Sequence, residues 1–551
     1  MHQPEKKQRM KICKQIDQYI EFVRSEEAIV CKEQLLLCNF VEKVFAEEDV
    51  YVDENQLERY LGLQKHFPYK LLPWETFCFA LHNCTYRNDG QLRFPVMLIL
   101  VGRGAGKNGY LAFENFALVT PVNGVKYYHI DMFATSEEQA KTTFEDIYNV
   151  LEEKKDYFKN YFKWNLECIT NLKTGSKIKY HTRAPGTKDG GRPGKVDFDE
   201  YHAYVDYKLI EVATTGLGKK EHPRRTIVTT QGDVRDGPLD DLLAKALQIL
   251  DGEIKDNGML PFICWLDNPE EVHDKKMWHK ANPSLKFFVN LQREMDLEYS
   301  DYVTDPATHT SFMTKRMNRP PKETEYNVTK WENLERATRD LPDLKGRSCV
   351  AGIDYAKTDD FVVAGLLFKD GENRYWIHHT WVCKHSRDLP RIKYPLMEDV
   401  EKGVLTFVDE VEISPELITE WIAKMAKLYI IESIAIDNFR YALLRDALKD
   451  IGFTPENKKV KLVRPSDIMK ASIVIGHIFG LGLVAWGKSR IMRWYTWNTK
   501  AIVDGKGNTT YEKISEKDRK TDGFMAFVAA MTEEGKIKQR PKIGRRLSTV
   551  T

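Results

Sequence analysis

The chain carries almost no net charge: 83 lysines and arginines face 81 aspartates and glutamates, a balance of +2 over 551 residues. Any nucleic-acid partner must therefore be met by local basic patches and not by a global field. Cysteine is scarce as well. The nine cysteines are scattered and none forms a C-x-x-C pair, which argues against a zinc knuckle and for a reducing cytoplasm. No apolar run reaches the roughly 18 residues needed to span a bilayer, so no membrane partner is expected. Met1-His2-Gln3-Pro4-Glu5-Lys6-Lys7 lacks the apolar stretch of a signal peptide. No internal repeat is apparent. What remains is a composition of 42% hydrophobic and 30% charged residues in a chain too long for one core, so two or three domains are expected.

Residues 1–70 are charged, with Ile12, Ile16, Ile20 and Val23 at helical spacing, and read as a helical lead-in. From 71 to 315 strands alternate with helices. Strands are expected to end at Val101 and to cover Lys126–Met132, Gly194–Phe198 and Arg225–Thr230, with a helix over Ser136–Glu152. Such alternation builds an α/β domain with a mostly parallel sheet. Arg316-Met317-Asn318-Arg319-Pro320-Pro321 opens a linker taken to 335. The 336–535 segment has a different order: strands Ser348–Asp354, Phe361–Phe368 and Arg374–Val382, a helix capped by Ser414-Pro415, then the strand Glu432–Ile436. Three antiparallel strands, a helix and a strand ending in aspartate is the order of an RNase H-like fold. The tail, 536–551, is basic through Lys536, Lys538, Arg540, Lys542, Arg545 and Arg546.

Gly102-Arg103-Gly104-Ala105-Gly106-Lys107 follows the run Phe94–Val101 and precedes a helical pattern from Asn108. Strand, glycine-rich turn, lysine and helix is an arrangement that cradles polyphosphate on backbone N–H groups and one cation. Val101 and Asn108 stand where the usual motif has a glycine and a hydroxyl. A second strand end, Asp199-Glu200, supplies a carboxylate to hold Mg²⁺ and one to polarise the attacking water. Asp197, on the same strand, stands where an apolar residue is expected and is assigned to solvent or to the linker. Thr229-Thr230-Gln231-Gly232 ends the next strand and suits a γ-phosphate sensor. Trp74 and Glu75 offer a ring and a polar contact to adenine. For an arginine finger the candidates are Arg103, Arg183, Arg192, Arg224 and Arg225, with Arg103 favoured to act in cis.

In the later domain Asp354 and Asp437 end strands and Asp522 opens a helix, so three carboxylates can converge on two divalent ions, Mg²⁺ or Mn²⁺. Asp359 and Asp360 could back them, and Lys517 or Lys520 could approach a scissile phosphate. His378, His379, Cys383 and His385 lack further ligands at suitable spacing, and packing accounts for them better than zinc.

Taken together, an ASCE-type P-loop ATPase domain, a proline-containing linker and an RNase H-like nuclease domain resemble the large terminase subunit of tailed double-stranded DNA bacteriophages. The resemblance spans about residues 70–535. Its most specific parts are Trp497-Asn498, Asp504-Gly505-Lys506-Gly507-Asn508 and Lys520-Thr521-Asp522-Gly523-Phe524-Met525-Ala526-Phe527. The order P-W-E, G-R-G-A-G-K, D-E-x-H and T-T-Q-G also matches the family's adenine, Walker A, Walker B and coupling motifs. The resemblance implies ATP-driven pumping of viral DNA into a procapsid and endonucleolytic cutting of concatemers. It further implies a portal protein, a small terminase subunit, a ring typically of five copies, work in the host cytoplasm and absence from the mature virion. A helicase or repair-type ATPase fused to a nuclease is the alternative, but the helicase motifs it requires are not found between Asp233 and Arg316. A DNA-binding scaffold without catalysis is a third reading.

Overall fold

The structure, a computed structural model, describes residues 11–135, 137–181, 192–232, 237–306, 309–319, 328–356, 361–392, 394–410, 412–503, 507–514 and 519–539. The chain forms two units, Met1–Lys322 and Glu323–Thr551. The first begins with helix Lys14–Val23, whose buried residues Ile16, Tyr19, Ile20 and Val23 recur at the spacing of one helical face. These residues belong to the same core as helix Pro73–Cys84 and the central strands, so the expected lead-in is part of this unit and not a separate body. A short antiparallel ribbon, β1 (Val50–Val52) with β2 (Thr85–Arg87), lies among these helices.

The main sheet of the first unit contains β3 (Val96–Leu100), β4 (Ile130–Phe133), β5 (Phe162–Trp164), β6 (Ile169–Asn171), β7 (Lys177–His181), β8 (Lys195–Asp199), β9 (Arg224–Thr229) and β10 (Met259–Ile263). Their spatial order is β10-β3-β9-β8-β4-β7-β6-β5. The first six of these strands are mutually parallel, and β5 and β6 add an antiparallel edge that the sequence pattern did not reveal. Because β9 lies between β3 and β8, the glycine-rich loop after β3 and the acidic pair after β8 flank the end of β9.

Buried charge fixes this arrangement. Asp197 does not face solvent: it is buried on β8 and paired with the fully buried Lys195. Lys195 also meets Glu114 at 2.8 Å and donates to Asn115 Oδ1 at 2.7 Å, both on helix Lys107–Val119. Thr226 of β9 donates to Glu114 as well, at 3.1 Å. Burial opposes the Glu114 carboxylate, but Lys195, His82 and Asn83 outweigh it and hold the pKa down at about 2. The helix that starts at the phosphate loop is thereby tied to β8 and β9. Lys195→Met is expected to leave two buried carboxylates without their cation and to cost about 3–5 kcal/mol, read as a lower denaturant midpoint. A midpoint equal to that of the parent protein would refute this account.

The stretch expected to begin the linker is instead built into the first unit. Met317 and Asn318 are fully buried, and Asn318 donates to Cys264 O at 2.7 Å. The two prolines dominated the sequence reading, but residues 320–327 lie outside the described residues.

The second unit holds β11 (Ser348–Asp354), β12 (Val362–Asp370), β13 (Asn373–Cys383), β14 (Leu405–Val408), β15 (Ile430–Asp437), β16 (Val460–Val463) and β17 (Val484–Ala485). The path is β14-β13-β12-β11-β15-β16, with β17 beside β13. The strands β11, β12 and β13 are antiparallel neighbours, whereas β15 runs parallel to β11, as the RNase H-like order requires. A hairpin, β18 (Thr499–Val503) with β19 (Thr509–Lys513), follows before the helix Asp522–Met531. Ser414 caps helix Pro415–Ala426 by accepting from Glu416 N at 3.2 Å. The start of the expected basic tail packs on this sheet: Lys538 Nζ lies 3.0 Å from Glu432 Oε2. No helix among the described residues is long and apolar enough to cross a membrane.

Candidate active sites

The glycine-rich loop bends through left-handed conformations at Gly104 (φ +90°) and Gly106 (φ +101°), which a side chain would resist. Its first two amides are anchored: Gly102 N donates to Ala281 O at 2.8 Å and Arg103 N to Lys315 O at 2.7 Å. The loop then opens helix Lys107–Val119, whose first N–H groups have no acceptor within the helix and suit an anion. Lys107 is buried, and its Nζ donates weakly to Val101 O at 3.4 Å. Burial lowers its pKa, opposed by Glu200 and Asp199, so the acidic pair keeps a cation at the loop. Asn108 follows in the first turn.

Strand register places the partners. Leu100 is level with Thr229, and Val228 with Asp199. Burial pushes the Asp199 carboxyl up to about 7, and neighbouring Glu200 adds to this. Glu200 sits at φ +48°, with His202 Nδ1 3.0 Å from its Oε2. Burial works against its charge, but His202 and Lys107 outweigh it and lower the pKa to about 2. Two adjacent carboxyls thus separate into one with a strong claim on a cation and one already ionised. Thr230 Oγ1 is buried without a hydrogen-bond partner, and Gln231 N donates to Asn318 Oδ1 at 3.1 Å.

The remaining expectations at this site fare differently. Trp74 is 1% exposed and stacks on Phe262 with centroids 5.2 Å apart, and it also forms part of the wall of a neighbouring cavity. Its Nε1 donates to Ser284 Oγ, which donates to Ala105 O at 2.6 Å, so it braces the phosphate loop. Glu75 lies beneath the loop, its Oε1 3.0 Å from where a Cβ on Gly106 would stand. Burial raises its pKa to about 8, against the lowering effect of the Leu72 N–H, and this weakens its repulsion of phosphate. A cavity of about 420 Å³ opens beside these residues, lined in part by Leu71, Pro73, Pro283, Lys286 and Phe287. Arg103 is exposed. Arg224 is buried at the far end of β9 from Thr229 and donates to Tyr128 Oη at 2.8 Å, a structural position and not a finger. Arg225 begins that same end, Arg192 is exposed, and Arg183 and Asp233 lie outside the described residues. Pattern reading missed Arg316, whose Nη1 donates to Arg103 O at 2.7 Å.

In the second unit Asp354, Asp437 and Asp522 line one cavity of about 270 Å³. Ile353 pairs with Ile436, so Asp354 and Asp437 end adjacent strands. Asp522 arrives from the facing helix, which lies close because Gly352 has no side chain: a Cβ there would stand 2.0 Å from Ala526 O. Asn498 Nδ2 donates to Lys520 O at 3.0 Å, fixing the approach to that helix. No three His, Cys, Asp or Glu side chains among the described residues are grouped closely enough to ligate a single ion. Three carboxylates distributed along one cavity can instead share two ions, and their hard oxygen donors suit a hard divalent cation.

Arg440, Glu512 and Lys513 also line this cavity, which sequence reading had not foreseen. Arg440 stands three residues beyond Asp437, in the first turn of helix Asn438–Asp450, and only that spacing could have signalled it. Lys520 is fully buried and meets Asp388 at 2.8 Å, so it does not approach a phosphate in this structure. Lys517, Asp359, Asp360 and Asp504 lie outside the described residues. The histidines are held by packing partners: His378 Nε2 lies 2.8 Å from Ser489 Oγ and His379 Nε2 2.9 Å from Thr406 Oγ1.

Comparison with known proteins matches two consecutive parts of the chain to one family. Residues 73–247 match the terminase large subunit ATPase domain, and residues 253–536 match the terminase large subunit endonuclease domain. The chain belongs to the terminase large subunit family. It is 24% identical over 382 residues to protein YmfN of Escherichia coli K12, covering 66% of this chain and 82% of that one. It is 23% identical over 450 residues to the terminase large subunit of Lactococcus phage SK1, covering 78% and 80%. The crystal structure of the HK97 bacteriophage large terminase matches with a TM-score of 0.48 and 18% identity, over 87% of this chain and 99% of that one. As a family member the chain is an ATPase and a nuclease of viral DNA packaging, and it acts on DNA. Nucleotide and divalent metal serve its two domains.

Proposed function

We propose that Gly102, Arg103, Gly104, Ala105, Gly106, Lys107 and Asn108 cradle the phosphates of ATP while Asp199 holds Mg²⁺ and Glu200 polarises the attacking water. Arg103 acts in cis on the charge of the transferring phosphoryl group. Adenine is served by the cavity that Leu71, Pro73, Trp74 and Lys286 line, with Glu75 beside it. In the second unit Asp354, Asp437 and Asp522 hold two Mg²⁺ or Mn²⁺ ions, which when bound activate the attacking water and steady the leaving oxygen. Arg440 and Lys513 neutralise DNA phosphates at the cavity rim. The observation that carries this reading is the convergence of three carboxylates from two strand ends and a facing helix on one cavity.

On this reading the protein pumps double-stranded DNA through a portal into a procapsid and cuts the concatemer. A small terminase subunit delivers the DNA. The motor is a homo-oligomeric ring, of five copies, docked transiently on the procapsid in the host cytoplasm and absent from the finished virion. Purified protein is expected to hydrolyse ATP and to cleave plasmid DNA, and both activities should vanish in EDTA and return with Mg²⁺ or Mn²⁺. Cleavage that persists in EDTA would refute the metal assignment.

A further inference from the structure

The turn Phe312–Arg316 is π-helical, a geometry rare in general and frequent at functional sites. Together with Asn318 it touches the phosphate loop, His202 and the segment that follows β9. The Lys315 carbonyl accepts from Arg103 N at 2.7 Å, and the Arg316 carbonyl occupies the space where a Cβ on Gly102 would stand, 2.5 Å away. Arg316 reaches back to Arg103 O and is itself held by Glu298 at 2.8 and 2.6 Å. Asn318 accepts from Gln231 N at the end of β9. The Lys315 ammonium points the other way, onto His202 Nε2.

The direction of the hydrogen bonds is set by chemistry. An ammonium only donates, so Nε2 accepts and Nδ1 carries the proton. That proton is shared with Thr229 Oγ1 at 3.2 Å, and Glu200 Oε2 lies 3.0 Å from the same nitrogen as its close charge neighbour. We infer that Lys315 is a positioning residue for ATP hydrolysis: through His202 it orients the Glu200 carboxylate, while its own carbonyl fixes the phosphate loop. One turn thereby sets the distance between the loop that holds the nucleotide and the carboxylate that acts on water. Burial lowers the His202 pKa, and Lys315 works in the same direction against Glu200, in keeping with a neutral ring. The inference rests on the roles proposed for Lys107 and Glu200.

The test uses the full chain and steady-state ATP hydrolysis with Mg²⁺. Lys315→Met is expected to lower kcat by about tenfold or more while KM for ATP changes less than about twofold, because Glu200 is misaimed and the loop carbonyl is retained. Lys315→Arg, which can still donate to Nε2, should recover most of the rate. His202→Gln should show the same split, and the double variant should be no slower than the slower single one, since both lie on one path. A parental kcat in Lys315→Met, a loss confined to KM, no recovery with arginine, or single effects that multiply would each overturn the inference. Plasmid cleavage by the same preparations reports that the second unit is folded, and an unchanged KM for ATP reports that the first is. If Lys107→Ala itself hydrolyses ATP normally, the site reading fails; if Lys107→Ala is inactive and Lys315→Met is not impaired, only this inference fails.

Discussion

Lys107→Ala is expected to reduce ATP hydrolysis by about 10²–10³ in kcat and to leave metal-dependent plasmid cleavage at the parental rate. The reason lies in what the ammonium faces. Lys107 is buried with Asp199 and Glu200 as its opposing charges, and the first-turn amides of its helix supply only partial positive charge. Removing it leaves two carboxylates beside an incoming polyphosphate with no fixed cation between them. The loop itself should persist, because Gly102 N and Arg103 N are anchored to Ala281 and Lys315 and not to the lysine side chain. A catalytic defect without a large fall in thermal midpoint is therefore the expected signature. The nuclease cavity is lined wholly by residues of the other unit, so cleavage has no dependence on Lys107. Parental ATP hydrolysis by this variant would refute the phosphate-loop assignment.

Much of this was legible in the chain because the informative residues are consecutive. A buried apolar run, a glycine turn and a lysine announce themselves within a dozen residues, and strand-end aspartates were found from strands predicted to within a few positions. What failed depended on contacts distant in sequence. Asp197 looked out of place because Lys195 and Asn115, which satisfy it, cannot be seen as its partners without the fold. Trp74 beside Glu75 suggests a ring for adenine, but its second part, as a brace for Ala105 through Ser284 some two hundred residues later in the chain, has no local signal. Arg316 and Asn318 were read as linker because Pro320 and Pro321 dominate local composition, although both residues return to the phosphate-loop end of the sheet. Arg440 and Lys513 carry no motif of their own, and only the hairpin and the first helical turn after Asp437 bring them to the cavity.

Asp354→Ala is expected to reverse the pattern, with ATP hydrolysis intact and plasmid cleavage reduced by more than about 100-fold, since even outer partners of metal ligands are worth 10–100-fold. Among the three carboxylates Asp354 is the most telling to remove. It ends β11, the strand that lies between β12 and β15, so it adjoins Asp437 laterally. The close approach at Gly352 brings the helix of Asp522 onto the same strand. A ligand flanked by both others is the one that two ions would share. Asp437 is less clean, because its Oδ1 also accepts from Phe439 N at 2.9 Å and Arg440 N at 3.3 Å. Asp437→Ala should thus lose cleavage and, in addition, about 1 kcal/mol of stability from the lost helix cap. Replacing Asp354 with Asn keeps the shape and removes the charge, so it should be as inactive as alanine if the group binds metal. Parental cleavage by Asp354→Asn, alongside inactivity of Asp354→Ala, would show that the side chain supports the cavity only by packing, and would remove it from the metal site.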